Sequence, residues 1–221
     1  YTDYTLFTAD QKILKEVNKV FNFLEVSYKL KKYKHLIVSP HYSKNILSKL
    51  IDNEIDNNKK GLPSGINLKI NNITNYPLVD KLYEASQAGV EVKMIVRGVC
   101  CLVPGVKGLS ENIKVISVVD KYLEHPRVYI FKNAGDRKVY ISSADWMTRN
   151  IENRVEVGCP IYDKDLQNEI LDTFNISWND NIKARIVNQF PQNNRIKPHT
   201  RELKQRSQLL TYAYYENKLI K

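Results

Sequence analysis

A strand pattern, a helix pattern and a second strand pattern follow one another between residues 66 and 96. This order constrains the fold more than any other feature of the chain. Ile66-Asn67-Leu68-Lys69-Ile70-Asn71 alternates apolar and polar residues, as a half-buried strand does. Pro77 suits the first turn of a helix, and Gly89 suits the C′ position after its last turn. Val90-Glu91-Val92-Lys93-Met94-Ile95-Val96 then reads as a strand that ends at Arg97-Gly98. Further strands are expected at 35–39, closed by Pro40, at 113–119 and at 155–157. A helix is expected from Ser43, as its cap, to about Asn58, with Ile46, Leu47, Leu50, Ile51 and Ile55 on one side; another is expected over 163–174. Strands alternating with helices predict an α/β layered domain with a mixed, mostly parallel sheet flanked by helices.

The ends of the chain read differently. Residues 2–7 look extended. Thr8 and Gln11 have capping-box spacing, with Ile13, Val17, Val20, Phe21 and Leu24 at helical intervals behind them. A lysine-rich connection covers 29–34. Past Ala184 the chain turns polar and basic, with a linker expected over 191–200 and a helix over 202–217.

Residues 122–150 read as a β-hairpin that carries chemistry. Val128-Tyr129-Ile130-Phe131 and Lys138-Val139-Tyr140-Ile141 are β-branched and aromatic runs around the turn formers Asn133-Ala134-Gly135-Asp136. His125 and Arg127 share strand parity, so a strand that starts early enough puts both on one face. An imidazole beside a guanidinium can bind or transfer a phosphoryl group: arginine brings fixed charge, histidine a nucleophile or a proton carrier. Ser142-Ser143-Ala144-Asp145 and Arg149-Asn150 form a polar cluster at the end of the second strand. It can orient His125 and hold phosphate oxygens, or simply cap a turn. Arg97, at a strand's carboxyl end, is placed either to hold phosphate or to pair with an acid. His35, His41 and His199 read as surface or capping residues, and Trp146 and Met147 as core.

Charge narrows the partners. Lysine and arginine number 34 against 24 acids, a net charge of +10, which favours an anionic partner or a solvated lysine surface. Cys100, Cys101 and Cys159 lack metal-type spacing and read as reduced, buried thiols of a cytosolic protein. No GxxxxGK[ST] loop and no GxSxG elbow is present, which argues against P-loop and α/β-hydrolase chemistry.

His-x-Arg followed by Ser-Ser-Ala-Asp resembles a degenerate phospholipase-D half-site of the H-x-K…(G/S)-S-x-N type. More densely, YTDYTLFTAD, GLPSGINLKINN, LVDKLYEASQAGV, IVRGVCCLVPGV, GLSENIKVISVVDKYLEHPRVYIF and VYISSADWMTRNIENRVEV resemble the C-terminal half of bacterial polyphosphate kinases, from Tyr1 to about Arg185.

This resemblance implies reversible transfer of the terminal phosphate of ATP to polyphosphate through a phosphohistidine, with Mg²⁺ as cofactor and ATP/ADP and polyphosphate as partners. It implies that residues 1–30 end a first phospholipase-D-like domain, that 31–188 form a second, and that 189–221 are a basic, partly helical tail. Tyr1 matches a tyrosine on the nucleotide base and Arg97 an arginine on the phosphates. His125 matches a histidine beside the reacting phosphate, with Arg127, Ser142, Ser143 and Asp145 as its support. The phosphorylated histidine and the magnesium ligands are expected upstream of Tyr1, in a missing N-terminal part of the same chain, so the fragment alone is expected to be inactive. A cytoplasmic location with membrane association left open, a homo-oligomer in the longer enzyme and no specific nucleic acid complete the expectation. The competing reading is a phospholipase-D-type phosphodiesterase or nuclease that completes its site as a dimer.

Overall fold

The computed structural model describes residues 1–26, 31–189, 194–196, 198 and 203–219. Its centre is an eight-stranded sheet of β1 (Ile37–Val38), β2 (Ile66–Ile70), β3 (Val92–Val96), β4 (Ile113–Val118), β5 (Arg127–Phe131), β6 (Lys138–Ser142), β7 (Val157–Ile161) and β8 (Ala184–Val187). The spatial order is β1-β7-β6-β5-β2-β3-β4-β8. The sheet is mixed, as expected, but not mostly parallel. Only β2–β3 and β3–β4 pair in parallel. The pairs β1–β7, β7–β6, β6–β5, β5–β2 and β4–β8 are antiparallel. The chain returns through α3 between the parallel strands β2 and β3, whereas β5 and β6 turn back directly as a hairpin.

Helices α1 (Gln11–Glu25), α2 (Ser43–Lys59), α3 (Tyr76–Gln87), α4 (Lys164–Trp178) and α5 (Ser207–Leu219) surround the sheet. Leu47, Leu50, Ile51 and Ile55 of α2 and Leu78, Val79 and Leu82 of α3 cover one face, against Leu68, Ile70, Met94, Val96, Tyr129 and Phe131. Ile170 and Phe174 of α4 cover the other, against Ile95, Ile116, Val128, Ile130 and Val139. Period-two alternation along the strands supplies both faces.

Several boundaries moved for identifiable reasons. The cap of α1 is Asp10, whose carboxylate accepts from the amides of Lys12 and Ile13; Thr8 only receives the Asp10 amide. On α1, Phe23 and Glu16 are buried, while Phe21 and Leu24 face out. Ser43 is the first residue of α2 rather than its cap, and its hydroxyl donates to the Ile151 carbonyl. The strand expected at 155–157 is β7, which runs on through Pro160; β1 reaches only as far as Gly158, so the proline leaves no ladder bond unmade on that side. β8, read as polar tail, is an edge strand on β4. Most of the linker expected over 191–200 lies outside the described residues.

Candidate functional site

β2 and β3 end, and β5 begins, on one rim of the sheet. Register pairs Ile70 with Val96 and Lys69 with Val128. Arg127 therefore enters β5 at the rim where Arg97 leaves β3, with β2 between them. Inter-strand spacing makes that separation about 10 Å.

β5 starts at Arg127, so His125 lies just outside the strand. It is fixed there by backbone: its amide donates to the Thr2 carbonyl at 2.9 Å, and the Thr2 amide donates to the Leu123 carbonyl at 2.8 Å. The imidazole and guanidinium do meet, with Arg127 Nη1 2.8 Å from His125 Nδ1 and 3.1 Å from the His125 carbonyl. Tyr1 Oη stands 2.6 Å and Asp3 Oδ2 3.1 Å from the same Nδ1. One ring nitrogen cannot serve all three. Without a proton, Nδ1 accepts from Arg127 or Tyr1; with one, it donates to Asp3. Nε2 has no partner among the described residues, so it is the atom available to a ligand.

Asp145 holds Arg127 in place. Arg127 Nε and Nη2 donate to its two carboxylate oxygens at 3.2 and 3.3 Å, a fork-on-fork pairing. The Asn71 amide (2.8 Å) and Asn72 Nδ2 (3.0 Å) complete the carboxylate's contacts. Burial alone would raise the Asp145 carboxyl, but Arg127, Asn72 and the Asn71 amide together hold it below the usual aspartate range. The buried carboxylate is therefore anionic near neutrality and already committed to its arginine. Ser142 and Ser143 mainly tie β6 to the start of β7. Ser143 Oγ donates to Glu156 and receives the Val157 amide, while Ser142 Oγ receives the Ala144 amide. Trp146 is fully buried, with its ring edge on Tyr129, as the core reading requires.

A cavity of about 520 Å³ opens over this rim, lined by His125, Arg127, Ser142, Ser143, Asn150 and Arg154 among others. Arg154 was not singled out from the sequence. It is exposed, and its guanidinium makes no hydrogen bond or ion pair with a described residue. Asn150 is buried, and its Oδ1 is unpartnered. Arg97 does not line this cavity; its side chain also makes no bond to a described residue. Tyr1 is 75% exposed, its ring 5.2 Å from the His125 ring. His35 is bound to Tyr162 and His41 packs on Phe23, both away from the cavity; His199 lies outside the described residues.

The cysteines are free, and half-buried rather than fully buried. Burial pushes the thiols of Cys100 and Cys159 up to about 11, which keeps them protonated and unreactive. Among the described residues no three His, Cys, Asp or Glu side chains cluster as metal ligands. Asp145 and Glu156 are already bonded to Arg127, Asn72, Ser143 and Asn150. These donors do not fit Mg²⁺.

The layered α/β fold is one that solved phospholipase-D-like structures share. The solved structure of Nuc, a phospholipase D family member from Salmonella typhimurium, matches 70% of this chain and 97% of its own with a TM-score of 0.52 at 16% identity, a likeness of fold. The family follows from closer matches. The family model described as polyphosphate kinase C-terminal domain 2 matches residues 36–208. A polyphosphate kinase from Klebsiella pneumoniae is 51% identical over 98% of this chain and 32% of its own length; one from Escherichia coli K12 is 50% identical over 98% and 31%. The crystal structure of polyphosphate kinase from Porphyromonas gingivalis superposes with a TM-score of 0.90 at 40% identity, over 96% of this chain and 32% of that one. The chain belongs to the polyphosphate kinase family, and it spans about a third of the length of these relatives.

Proposed function

We propose that this chain carries the second half of the nucleotide and phosphate site of a polyphosphate kinase. In this reading the longer enzyme moves the terminal phosphoryl group of ATP reversibly onto inorganic polyphosphate. A phosphohistidine outside these residues carries the group between them. Residues 1–30 close a first phospholipase-D-like domain, 31–188 form the second, and 189–221 are its basic tail. The longer enzyme works in the cytoplasm as a homo-oligomer.

The observation that carries the reading is the state of His125. Its Nδ1 edge is crowded by Arg127, Tyr1 and Asp3, while Nε2 has no partner among the described residues and stands beside a cavity that also holds Arg127 and Arg154, whose guanidinium bonds to no described residue. Phosphoryl transfer spreads negative charge over the oxygens of the moving group, and fixed cations on its path lower the barrier. His125 would donate a proton or a hydrogen bond from Nε2 to an oxygen of that group. Arg127, locked by Asp145, supplies charge that needs no reorganisation. Arg97 would hold the nucleotide phosphates and Tyr1 the base. The Mg²⁺ that such an enzyme uses would be held by residues of the longer enzyme upstream of Tyr1.

In the longer enzyme, His125→Ala and Arg97→Ala are each expected to cut ATP-dependent polymer synthesis by roughly 10²- to 10⁴-fold without lowering the unfolding midpoint. Near-normal synthesis by both variants would overturn the assignment. Efficient DNA or phospholipid hydrolysis by the unmodified enzyme would favour the phosphodiesterase reading instead.

A further inference from the structure

We propose that Gln208 of α5 is a positioning residue for His125, acting through the backbone of Tyr122 and the side chain of Glu124. This rests on the placing of His125 in the site proposed above.

The segment that delivers His125 has little packing of its own. Tyr122 and Leu123 are 46% and 45% exposed. Beneath the segment lies a second cavity, of about 290 Å³, bounded by Tyr122, Glu124 and Pro126 on one side and Tyr212 and Tyr215 of α5 on another. Apart from the buried Pro126, apolar contact gives this segment little support. Hydrogen bonds hold it. Gln208 Oε1 accepts the Tyr122 amide at 2.9 Å, and Gln208 Nε2 donates to the Tyr122 carbonyl at 2.8 Å. The side-chain amide thus pairs with the segment much as a neighbouring strand would. Nε2 also donates to Glu124 Oε1 at 3.0 Å.

Glu124, the residue before His125, is held from its other oxygen as well. Lys69 of β2 donates to Oε2 at 2.6 Å and to Ser177 of α4 at 3.0 Å. Both partners of this ion pair are largely buried, with side chains 13% and 14% exposed. β2 and α5 therefore converge on one carboxylate, one residue from the imidazole, and α4 holds the β2 lysine that reaches it. The helix end that presents Gln208 is itself fixed. Asp180 accepts the Ser207 amide at 2.7 Å, and Arg206 forks onto Asp120 at 2.7 and 2.8 Å. A small misplacement of a catalytic group costs rate out of proportion to stability, so a latch of this kind has a use beyond holding α5 down.

The test compares two ways of loosening α5 in the longer enzyme. Gln208→Met keeps the volume and removes the three hydrogen bonds. Tyr214→Phe and Lys218→Met release the same helix from Asp172 and Glu169 of α4, and none of these four side chains bonds to residues 122–125. Gln208→Met is expected to lower kcat for polymer synthesis about tenfold or more while KM for ATP stays within about threefold. It is also expected to raise the rate at which diethyl pyrocarbonate modifies His125, read by peptide mass mapping, by about threefold or more; the two α4-side variants leave both readouts within about twofold of the unmodified enzyme. The proposal is overturned if Gln208→Met leaves the modification rate of His125 unchanged, or if the α4-side variants change kcat and that rate as much as it does. A His125→Ala enzyme that still makes polymer would defeat the proposed function alone, because the modification rates would still decide whether Gln208 positions His125.

Discussion

Two clusters of charged side chains border the segment that carries His125, and they are completed differently. On the α5 side, Asp120 is forked by Arg206 and approached by Lys183 at 3.4 Å. Asp180 accepts the amides of Ile182, Lys183, Ala184 and Ser207. These acids are answered within the chain, and they tie the last helix to the sheet. On the cavity side the acids are answered too: Asp145 by Arg127, Glu156 by Ser143 and Asn150, and Asp3 by His125. His125 Nε2, the Arg154 guanidinium and Asn150 Oδ1 have no described partner, and Arg97 on the same rim has none. Buried polar groups in a folded protein ordinarily find partners, and among these Asn150 Oδ1 is the buried one that has none. Both sides answer their acids; the difference is that the cavity side also keeps basic groups, His125 Nε2 and the Arg154 and Arg97 guanidiniums, without a described partner, which is the arrangement the proposed phosphate site needs.

The sharpest way to break this contrast is to remove a closed charge and an open one and compare the costs. Asp145→Ala leaves Arg127, whose side chain is only 10% exposed, as an uncompensated charge. A loss of about 3 to 5 kcal/mol in urea unfolding is expected, since truncating one partner of a buried pair strands the other. Arg97→Ala should change stability by less than about 0.5 kcal/mol. Similar stability losses for the two would mean that Arg97 has a structural partner and that the contrast is false.

Acid titration probes the closed charges of both clusters together. Asp145, Asp120 and Asp180 all lie below the ordinary aspartate value of 3.8. For Asp120 the Arg206 hydrogen bond is the chief cause. For Asp180, burial pushes upward and the amides of Lys183 and Ser207 outweigh it. A carboxyl whose folded value is depressed stabilises the fold above its unfolded value, and that contribution is lost as pH falls through the folded value. The urea midpoint is therefore expected to stay level from neutrality to about pH 5 and to drop below about pH 4. Asp145→Asn should flatten part of that drop. A midpoint level down to about pH 2.5 would remove these carboxylates from the account of the fold.

The parts legible in the sequence were those in which local pattern and tertiary demand agree. β2, α3, β3, β4 and the hairpin have two-residue or helical periodicity, and each buries the side that the pattern marks. Glu16 shows where pattern fails. It is buried on α1 because it accepts the amides of Lys34, His35 and Leu36, a demand from eighteen to twenty residues away. Its burial rotates the helix, so that Phe21 and Leu24 face out. β8 was hidden because an edge strand needs only one apolar side and tolerates the arginine of Ala184–Val187. At the site, His125, Arg127 and Asp145 were legible because they lie on one hairpin. Asp3 comes to His125 from 122 residues away, and Arg154 comes from the loop before β7; neither carries a local signal.

Arg154 gives the smallest expected effect and the finest test of the contrast. It projects from an exposed position into the cavity lining and bonds to no described side chain. Arg154→Ala should therefore leave the urea midpoint unchanged, within about 0.5 kcal/mol. A solvent-exposed guanidinium contributes only modestly to holding an anion. The affinity of the longer enzyme for inorganic tripolyphosphate, measured by calorimetry, is expected to fall about threefold to tenfold. Raising salt should shrink the difference between variant and unmodified enzyme, because the lost contact is screened. Unchanged tripolyphosphate affinity at low salt would show that the cavity's anion is held by Arg127 and His125 without Arg154. The cavity's basic side chains would then be divided between a working pair and a bystander.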